Sequence, residues 1–391
     1  MSGRIYLDNS ATTPIAPEVL EAMLPHLREE FGNPSSLHTP GQIARAAIDR
    51  AREEIAGTLD VSPSEIVFTG GATEANNLAI KGLAFSQETK RHLVTSRVEH
   101  PAVLRTCEWL AQRGYDLTVL DVDATGRVDP QDLRGAIRDE TFLVSIMAGN
   151  NEIGTLEPIA TLAEICAERG VAFHTDAVQA YGKVPLALEG VSLLSASAHK
   201  LHGPKGVGFL YVRRGTTLTP ILHGGGHERG LRSGTENTAG IVGLGRAAAL
   251  AFGELDTVPA RMRRLRERLI SAVMQIPATR LNGHRTESLP HIANFSFQGI
   301  EGESLIMRLD ERGIAASTGS ACSSPDLEPS HVLLAIGVPL SMAHGSLRIS
   351  TGRQTTPEEI ERLIQALPPV VDELRAISPF KVGDPACTPK R

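Results

Sequence analysis

Between about residue 60 and residue 215 the chain alternates short β-rich runs with stretches of helical periodicity. The strand candidates are Glu65–Thr69, His92–Ser96, Asp116–Leu120, Phe142–Ile146, Ala172–Thr175, Leu193–Ser197 and Val207–Val212. Helical patterns separate several of them, over Ala72–Leu83, Ala102–Gln112 and Ile159–Arg169. Parallel neighbours need a crossover long enough for a helix. The alternation therefore predicts βαβ units and an α/β fold on a mainly parallel sheet covered by helices. Runs such as FLVSI (142–146) are mostly apolar, as expected when helices cover both faces.

Further helical patterns run over Ala239–Leu255 and Ala260–Ile276, and then the chain changes character. HIANFSF (His291–Phe297), a helix near Glu303–Glu311, SLRIS (Ser346–Ser350) and a final helix from Pro357 to about Ile377 predict a smaller α+β domain. A chain of 391 residues is long for one compact core. The expected division is a large domain over 12–257, a small domain over 258–378 joined by residues 1–11, and a mobile tail over 379–391.

Composition narrows the function. The net charge is −6, aromatics make up 4%, and no long basic run occurs. A nucleic-acid partner is therefore not expected. The N-terminus lacks the basic and apolar regions of a secretory signal, and no apolar stretch approaches the ~20 residues that span a bilayer. The expectation is a cytoplasmic protein with no membrane contact. The four cysteines, Cys107, Cys166, Cys322 and Cys387, form no CxxC pair and fit no zinc or iron–sulfur spacing, so no metal is expected. Cys107 and Cys166 lie in helical patterns, where a free thiol behaves as a small apolar core residue. Cys322 lies instead in ASTGSACSSPDLEP, a small, polar loop composition from which a thiol can move and react. The alternative is an incidental exposed cysteine.

Four features fall at the carboxyl ends of expected strands, where open α/β sheets bind ligands. Lys200, in SASAHKLHGPKG, closes a small apolar strand, and a desolvated amine there suits a Schiff base; a surface turn lysine is the alternative. Asp176, in HTDAVQA, could hold a pyridinium nitrogen protonated, or could cap the next helix. Gln179, three residues on, could reach a phenolic oxygen or lie on a solvated face. GGATEANN (70–77) opens a helix after a strand, so its amides and Thr73 could cradle a phosphate, unless Thr73 is only a cap. His100 could stack on a planar cofactor and move protons, or be structural.

These motifs are the ones by which the chain resembles the fold-type I, class V aminotransferase superfamily, and closely its NifS/IscS-like cysteine desulfurase branch. The similarity runs from YLDNSATTP (6–14) through FGNPSS, GATEANN, VEHPAV, NNEIG, HTDAVQ and SAHKLHGPKG to HGGGHERGLRSGTEN (223–237) and STGSACSSPDLEPSHVL (317–333). The resemblance implies a pyridoxal 5'-phosphate enzyme. Phosphate contacts would fall on Ala72, Thr73, Ser197 and His199, with Thr235 reaching the phosphate of the neighbouring subunit in a homodimer. Asp176 would pair with the ring nitrogen, Gln179 with the phenolic oxygen, and His100 would stack on the ring. Asn151 would lie beside cofactor and substrate. Arg348 would clamp the substrate carboxylate, a role that suits the guanidinium fork.

The implied reaction converts L-cysteine to L-alanine. Lys200 holds the cofactor and removes the α-proton, Cys322 takes the sulfur as a persulfide, and His100 handles protons. The sulfur then passes to an acceptor or iron–sulfur scaffold protein, for iron–sulfur or thio-cofactor assembly. The alternatives are another class V enzyme, an aminotransferase or a selenocysteine lyase, or a sulfur-relay partner with a vestigial site. The loop around Cys322 favours desulfuration, and the intact Lys200, Asp176, His100 and Gln179 set argues against a vestigial site.

Overall fold

The structure is a computed structural model that describes residues 3–319 and 329–379. In chain order its first half holds β1 (Ile5–Tyr6), α1 (Pro17–Arg28), α2 (Thr39–Leu59), β2 (Ile66–Thr69), α3 (Ala72–Ser86), β3 (His92–Ser96), α4 (Pro101–Ala111), β4 (Asp116–Leu120), α5 (Pro130–Ala136), β5 (Thr141–Ser145), α6 (Ile159–Glu168), β6 (Ala172–Asp176), β7 (Leu193–Ser197) and β8 (Gly208–Val212). There follow α7 (Thr238–Gly253), α8 (Val258–Val273), β9 (Thr279–Asn282), β10 (Ile292–Phe297), α9 (Gly302–Glu311), β11 (Ile314–Ala315), α10 (His331–Ala335), α11 (Leu340–Ala343), β12 (Ser346–Ser350) and α12 (Pro357–Ile377).

Seven strands form one sheet in the order β2-β8-β7-β6-β5-β3-β4. The pairs β3–β4, β3–β5, β5–β6 and β6–β7 are parallel. Only β8 runs the other way, antiparallel to both β7 and β2. The link from β7 to β8 holds nothing longer than the 3-10 turn Ala198–Lys200. Without a crossover helix the chain returns beside the strand it has just left, and in the opposite direction. Because β2 and β7 both oppose β8, their carboxyl ends share one sheet edge with those of β3, β5 and β6.

Successive side chains along a strand point to opposite faces, and here both faces are dry. Val67, Leu93, Leu143, Leu193 and Leu210 pack with Leu78 of α3 and Val103 and Cys107 of α4. Their neighbours Phe68, Val94, Val144, Leu194 and Phe209 pack with Ile48 and Ile55 of α2 and Leu244 of α7. Cys107 and Cys166 are buried in α4 and α6 as free thiols. The run expected from Glu65 begins at Ile66, because Ser62 and Glu65 close a capping box over the 3-10 turn Pro63–Glu65.

A second core is built on the antiparallel sheet β12-β10-β9. Phe295, Phe297, Leu269, Leu305 and Leu363 meet there under α8, α9 and α12. The N-terminus belongs to it: β1 pairs in parallel with β11, and Ile5 and Leu7 are fully buried in this core. The chain then crosses to the large sheet. Thr13 donates from both its amide and its Oγ1 to the His199 carbonyl, each at 2.9 Å, and the Ala16 amide donates to the His202 carbonyl. Residues 8–14 thus strap one core to the other across the sheet edge. Among the described residues no single helix is long and apolar enough to cross a membrane.

A buried ion pair fixes the segment that precedes α7. Arg52 of α2 bonds Glu228 through both Nη atoms, at 2.8 and 2.6 Å, and Glu228 also accepts from the Phe68 amide of β2. Arg52 lies over the Phe68 ring at 4.6 Å. The side chains are 7% and 2% exposed, so removing one partner strands the other charge out of water. Glu228→Ala should therefore lower stability by about 3 kcal/mol or more, read as a fall in the urea midpoint at unchanged slope. A change within the error of that measurement would show that the pair holds nothing in place.

Candidate active site

The sheet edge gathers its polar groups around the crossing strap. Lys200 leaves β7 on the turn Ala198–Lys200, and its Nζ donates to the carbonyls of Ser10 and Ala11 at 2.6 and 2.7 Å. Gln179, on the turn after β6, donates from Nε2 to the same Ser10 carbonyl at 2.9 Å. Its Oε1 meets His291 Nε2 at 3.2 Å. Asp176 ends β6 and accepts at Oδ2 from Asn76 of α3, at 2.7 Å, and at Oδ1 from the Val178 amide. Lys200 and Gln179 are therefore brought together on one carbonyl, Gln179 lying three residues beyond Asp176 at the end of β6. Gln179 is 3% exposed, so it does not lie on a solvated face. Asp176 does accept an amide as a cap would, and still keeps its second oxygen for Asn76.

His100 follows β3 as the N-cap of α4, its Nδ1 accepting from the Ala102 amide at 3.1 Å. Burial holds its pKa below the ordinary histidine value, and the positive charge of Lys200 adds to this against the pull of Asp176. The ring is neutral at pH 7, and with Nδ1 accepting, its proton sits on Nε2. Glu99, the residue before it, is fully buried and accepts at Oε1 from Ser96 Oγ and the Met147 amide. Burial raises the Glu99 pKa well above the usual carboxylate range, against the hydrogen bonds from Ser96 and the Met147 amide.

Helix α3 starts at this edge without a side-chain cap. Gly71 is its N-cap at φ +144, a conformation closed to residues with a Cβ, so Thr73 sits inside the exposed first turn rather than capping it. Gly208 of β8 lies directly behind: a Cβ there would stand 2.5 Å from the Ala196 carbonyl oxygen and 3.0 Å from Gly71 Cα. The loop thus presses against β8, and the amides of Ala72 and Thr73 face outward as a ready anion site. Ser197 is buried at the end of β7, and His199 meets Thr12 Oγ1 at 3.2 Å. Burial, then the charge of Lys200, brings the His199 pKa down to about 4. Thr235 is exposed on the loop before α7 and is not brought to these groups within the chain. Arg232 ties that loop to α3 through Glu74 at 2.8 Å.

Arg348, 3% exposed on β12, reaches the same region from the second core. Its Nη2 pairs with Asp8 at 2.8 Å and its Nη1 donates to the Asn151 carbonyl at 2.9 Å, while its Nε is buried with no hydrogen-bond partner among the described residues. It is therefore a buried group at the junction, not a surface salt bridge. Cys322 and Cys387 lie outside the described residues.

The sequence left Ser10, Asn76, Asp8 and His291 without roles. Ser10 and Asp8 stand in YLDNSATTP and Asn76 in GATEANN, so the motifs were visible but not the partners, which are 100 or more residues away. His291 precedes β10 with no local pattern to single it out. Together these groups make a site with a fixed carboxylate, an amine at a strand end, a neutral imidazole, an anion-binding helix start and a guanidinium. That set can hold a planar anionic cofactor and an amino acid, and can move a proton between them.

The description aminotransferase class-V matches residues 5–363 of the chain. The cysteine desulfurase IscS of Methanosarcina thermophila is 51% identical over 379 residues, covering 96% of this chain and 94% of its own. A solved NifS-like protein superimposes with a TM-score of 0.90 at 40% identity, over 95% of this chain and 100% of its own. A solved structure described as SspA in complex with cysteine gives 0.80 at 40% identity, over 90% and 100% of the two chains.

The strap leaves a pH signature at His202. Its amide donates to Thr13 Oγ1, its Nδ1 donates to the Pro14 carbonyl at 3.1 Å, and its Nε2 accepts from the Arg353 amide at 3.2 Å. Both ring nitrogens are used only in the neutral form. Burial brings its pKa down to about 4. The unfolded chain takes up a proton near pH 6.5 that the folded chain refuses, so this contribution is complete above that pH and lost as pH falls towards 4. Between pH 7 and pH 5 the native chain should lose about 2 kcal/mol relative to His202→Gln, measured by urea unfolding at both pH values. A stability difference that stays constant with pH would contradict the neutral assignment.

Proposed function

The chain belongs to the aminotransferase class-V family, and from that premise we propose that it is a pyridoxal-phosphate-dependent cysteine desulfurase, converting L-cysteine to L-alanine with transfer of the sulfur to Cys322. The observation that carries the reading is the meeting of Lys200 and Gln179 on the Ser10 carbonyl, beside Asp176 at the end of β6. The donor set fits the cofactor. Ser10 Oγ, Asn76 Oδ1 and Arg348 Nε are buried there without hydrogen-bond partners among the described residues, and the first turn of α3 has no side-chain cap.

Pyridoxal phosphate, when bound, supplies the electron sink for charge at the substrate α-carbon. Ala72, Thr73, Ser197 and His199 would hold its phosphate, Asp176 its ring nitrogen and Gln179 its phenolic oxygen, with His100 against the ring and Lys200 as its covalent anchor. Asn151 and Arg348 would seat the substrate carboxylate. The Lys200 amine takes the α-proton. The Cys322 thiolate attacks the substrate sulfur, an S–S bond forms and the Cβ–S bond breaks. Its electron pair takes a proton, and alanine leaves. Neutral His100, with its proton on Nε2, is suited to hand protons on.

The same reading makes the chain a homodimer, with Thr235 serving the partner's phosphate. Its exposure, and the tether of its loop to α3 by Arg232, support that role. The two cores described above would be the large and small domains, dividing near residues 257–258. The persulfide sulfur would pass to an acceptor or iron–sulfur scaffold protein.

Incubation with L-cysteine, with alanine and protein persulfide quantified together, tests the reaction. The native chain should release alanine. Cys322→Ala should bind cofactor and show its visible absorbance, yet lose alanine release by a factor of at least ~100, because no nucleophile remains to take the sulfur. Full alanine release from Cys322→Ala would sink the assignment.

A further inference from the structure

Lys183 has no part in the chemistry described so far. It ends the turn that carries Gln179, is 9% exposed, and its Nζ is buried with no hydrogen-bond partner among the described residues. It lines a cavity of about 40 Å³ together with Lys200, His202, Leu201, Ala251 and Met262. Glu254 and Arg353 also line this cavity, but they are spent on each other in an ion pair of 2.7 Å. Among the described residues, His199, His202 and His291 feel the charge of Lys183, each with its pKa lowered first by burial and then further by Lys183 among other cations.

A buried amine facing no available carboxylate is costly unless its charge is given up or used. Its neighbour makes the use evident. The carbonyls of Ser10 and Ala11 accept from Lys200 Nζ and so favour the charged ammonium there. An amine that must attack and take up a proton has to be uncharged. Something must oppose the two carbonyls, and in a low-dielectric cavity a second positive charge does so.

We propose that Lys183 is a positioning residue for Lys200, a second, buried amine on a residue lining the same cavity, whose charge favours the uncharged, nucleophilic form of the Lys200 amine. The coupling is mutual. Burial, followed by the charge of Lys200, brings the Lys183 pKa down to about 7, so its charge changes within the working range of a neutral-pH enzyme. The inference rests on Lys200 being the cofactor lysine.

The test is a pH titration of the visible absorbance of the full-length, cofactor-loaded protein, which reports the protonation of the Lys200 nitrogen. Lys183→Met should move the midpoint upward by about one pH unit, and Lys183→Gln should move it the same way. Variants that fold and keep an unmoved midpoint would overturn the proposal. A second measurement needs no variant: a nitrogen-15 NMR titration of the lysine amines in the native chain stripped of cofactor, with the Lys183 and Lys200 signals followed across pH. Coupled amines give curves broader than a single titration, whereas two independent single-site curves would overturn the proposal. Cofactor attached to another lysine would bring down the proposed function while these titration curves still read the coupling.

Discussion

Everything at this site hangs on one carbonyl. Ser10 stands on a strap that leaves the small antiparallel sheet at Asp8 and lands on the large sheet at Thr13, and its oxygen accepts from both Gln179 and Lys200. Neither donor comes from the same strand end: Gln179 follows β6 and Lys200 follows β7. The strap therefore sets the spacing between two groups that sheet geometry alone would leave loose. It is held at one end by Arg348 on Asp8 and at the other by Thr13 and His202. An amine and a carboxamide placed this way lose little freedom on meeting a ligand, which is how a fold prepares a reaction in advance.

The large sheet supplies the direction. Parallel strands bring their carboxyl ends to one edge, and a link too short for a helix turns β8 back between β2 and β7. That reversed strand is what brings Gly208 against Gly71, pressing the start of α3 to the sheet. The positive partial charge of a helix start and the Asp176 carboxylate at the end of β6 lie at this edge, and Arg348 reaches it from the second core through Asn151 and Asp8. Burial raises the pKa of Glu99 and lowers those of His202 and His291 behind it, in each case favouring the uncharged form.

Much of this was legible in the sequence because it is local. Apolar runs of strand length, helix periodicity and glycine punctuation mark β3, β7, α3 and α12 to within a few residues. The direction of β8 was not legible, since GFLYV is apolar on both faces and carries no sign of orientation. The strap was not legible either: residues 8–14 have no period, and their partners lie more than 150 residues away. Asp176, Lys200 and His100 could be singled out at strand ends and Gln179 just beyond one, each with a structural alternative left open and its role given only by the family resemblance, whereas Asn76, His291 and Lys183 matter only through what the fold sets beside them.

The central claim is that the strap-bound amine of Lys200 is the one that holds the cofactor. Borohydride reduction of the pyridoxal-phosphate-loaded protein, followed by peptide mass spectrometry, tests it directly. The account predicts a single reduced adduct, on Lys200. An adduct on Lys205 or Lys183, with Lys200 unmodified, would contradict it.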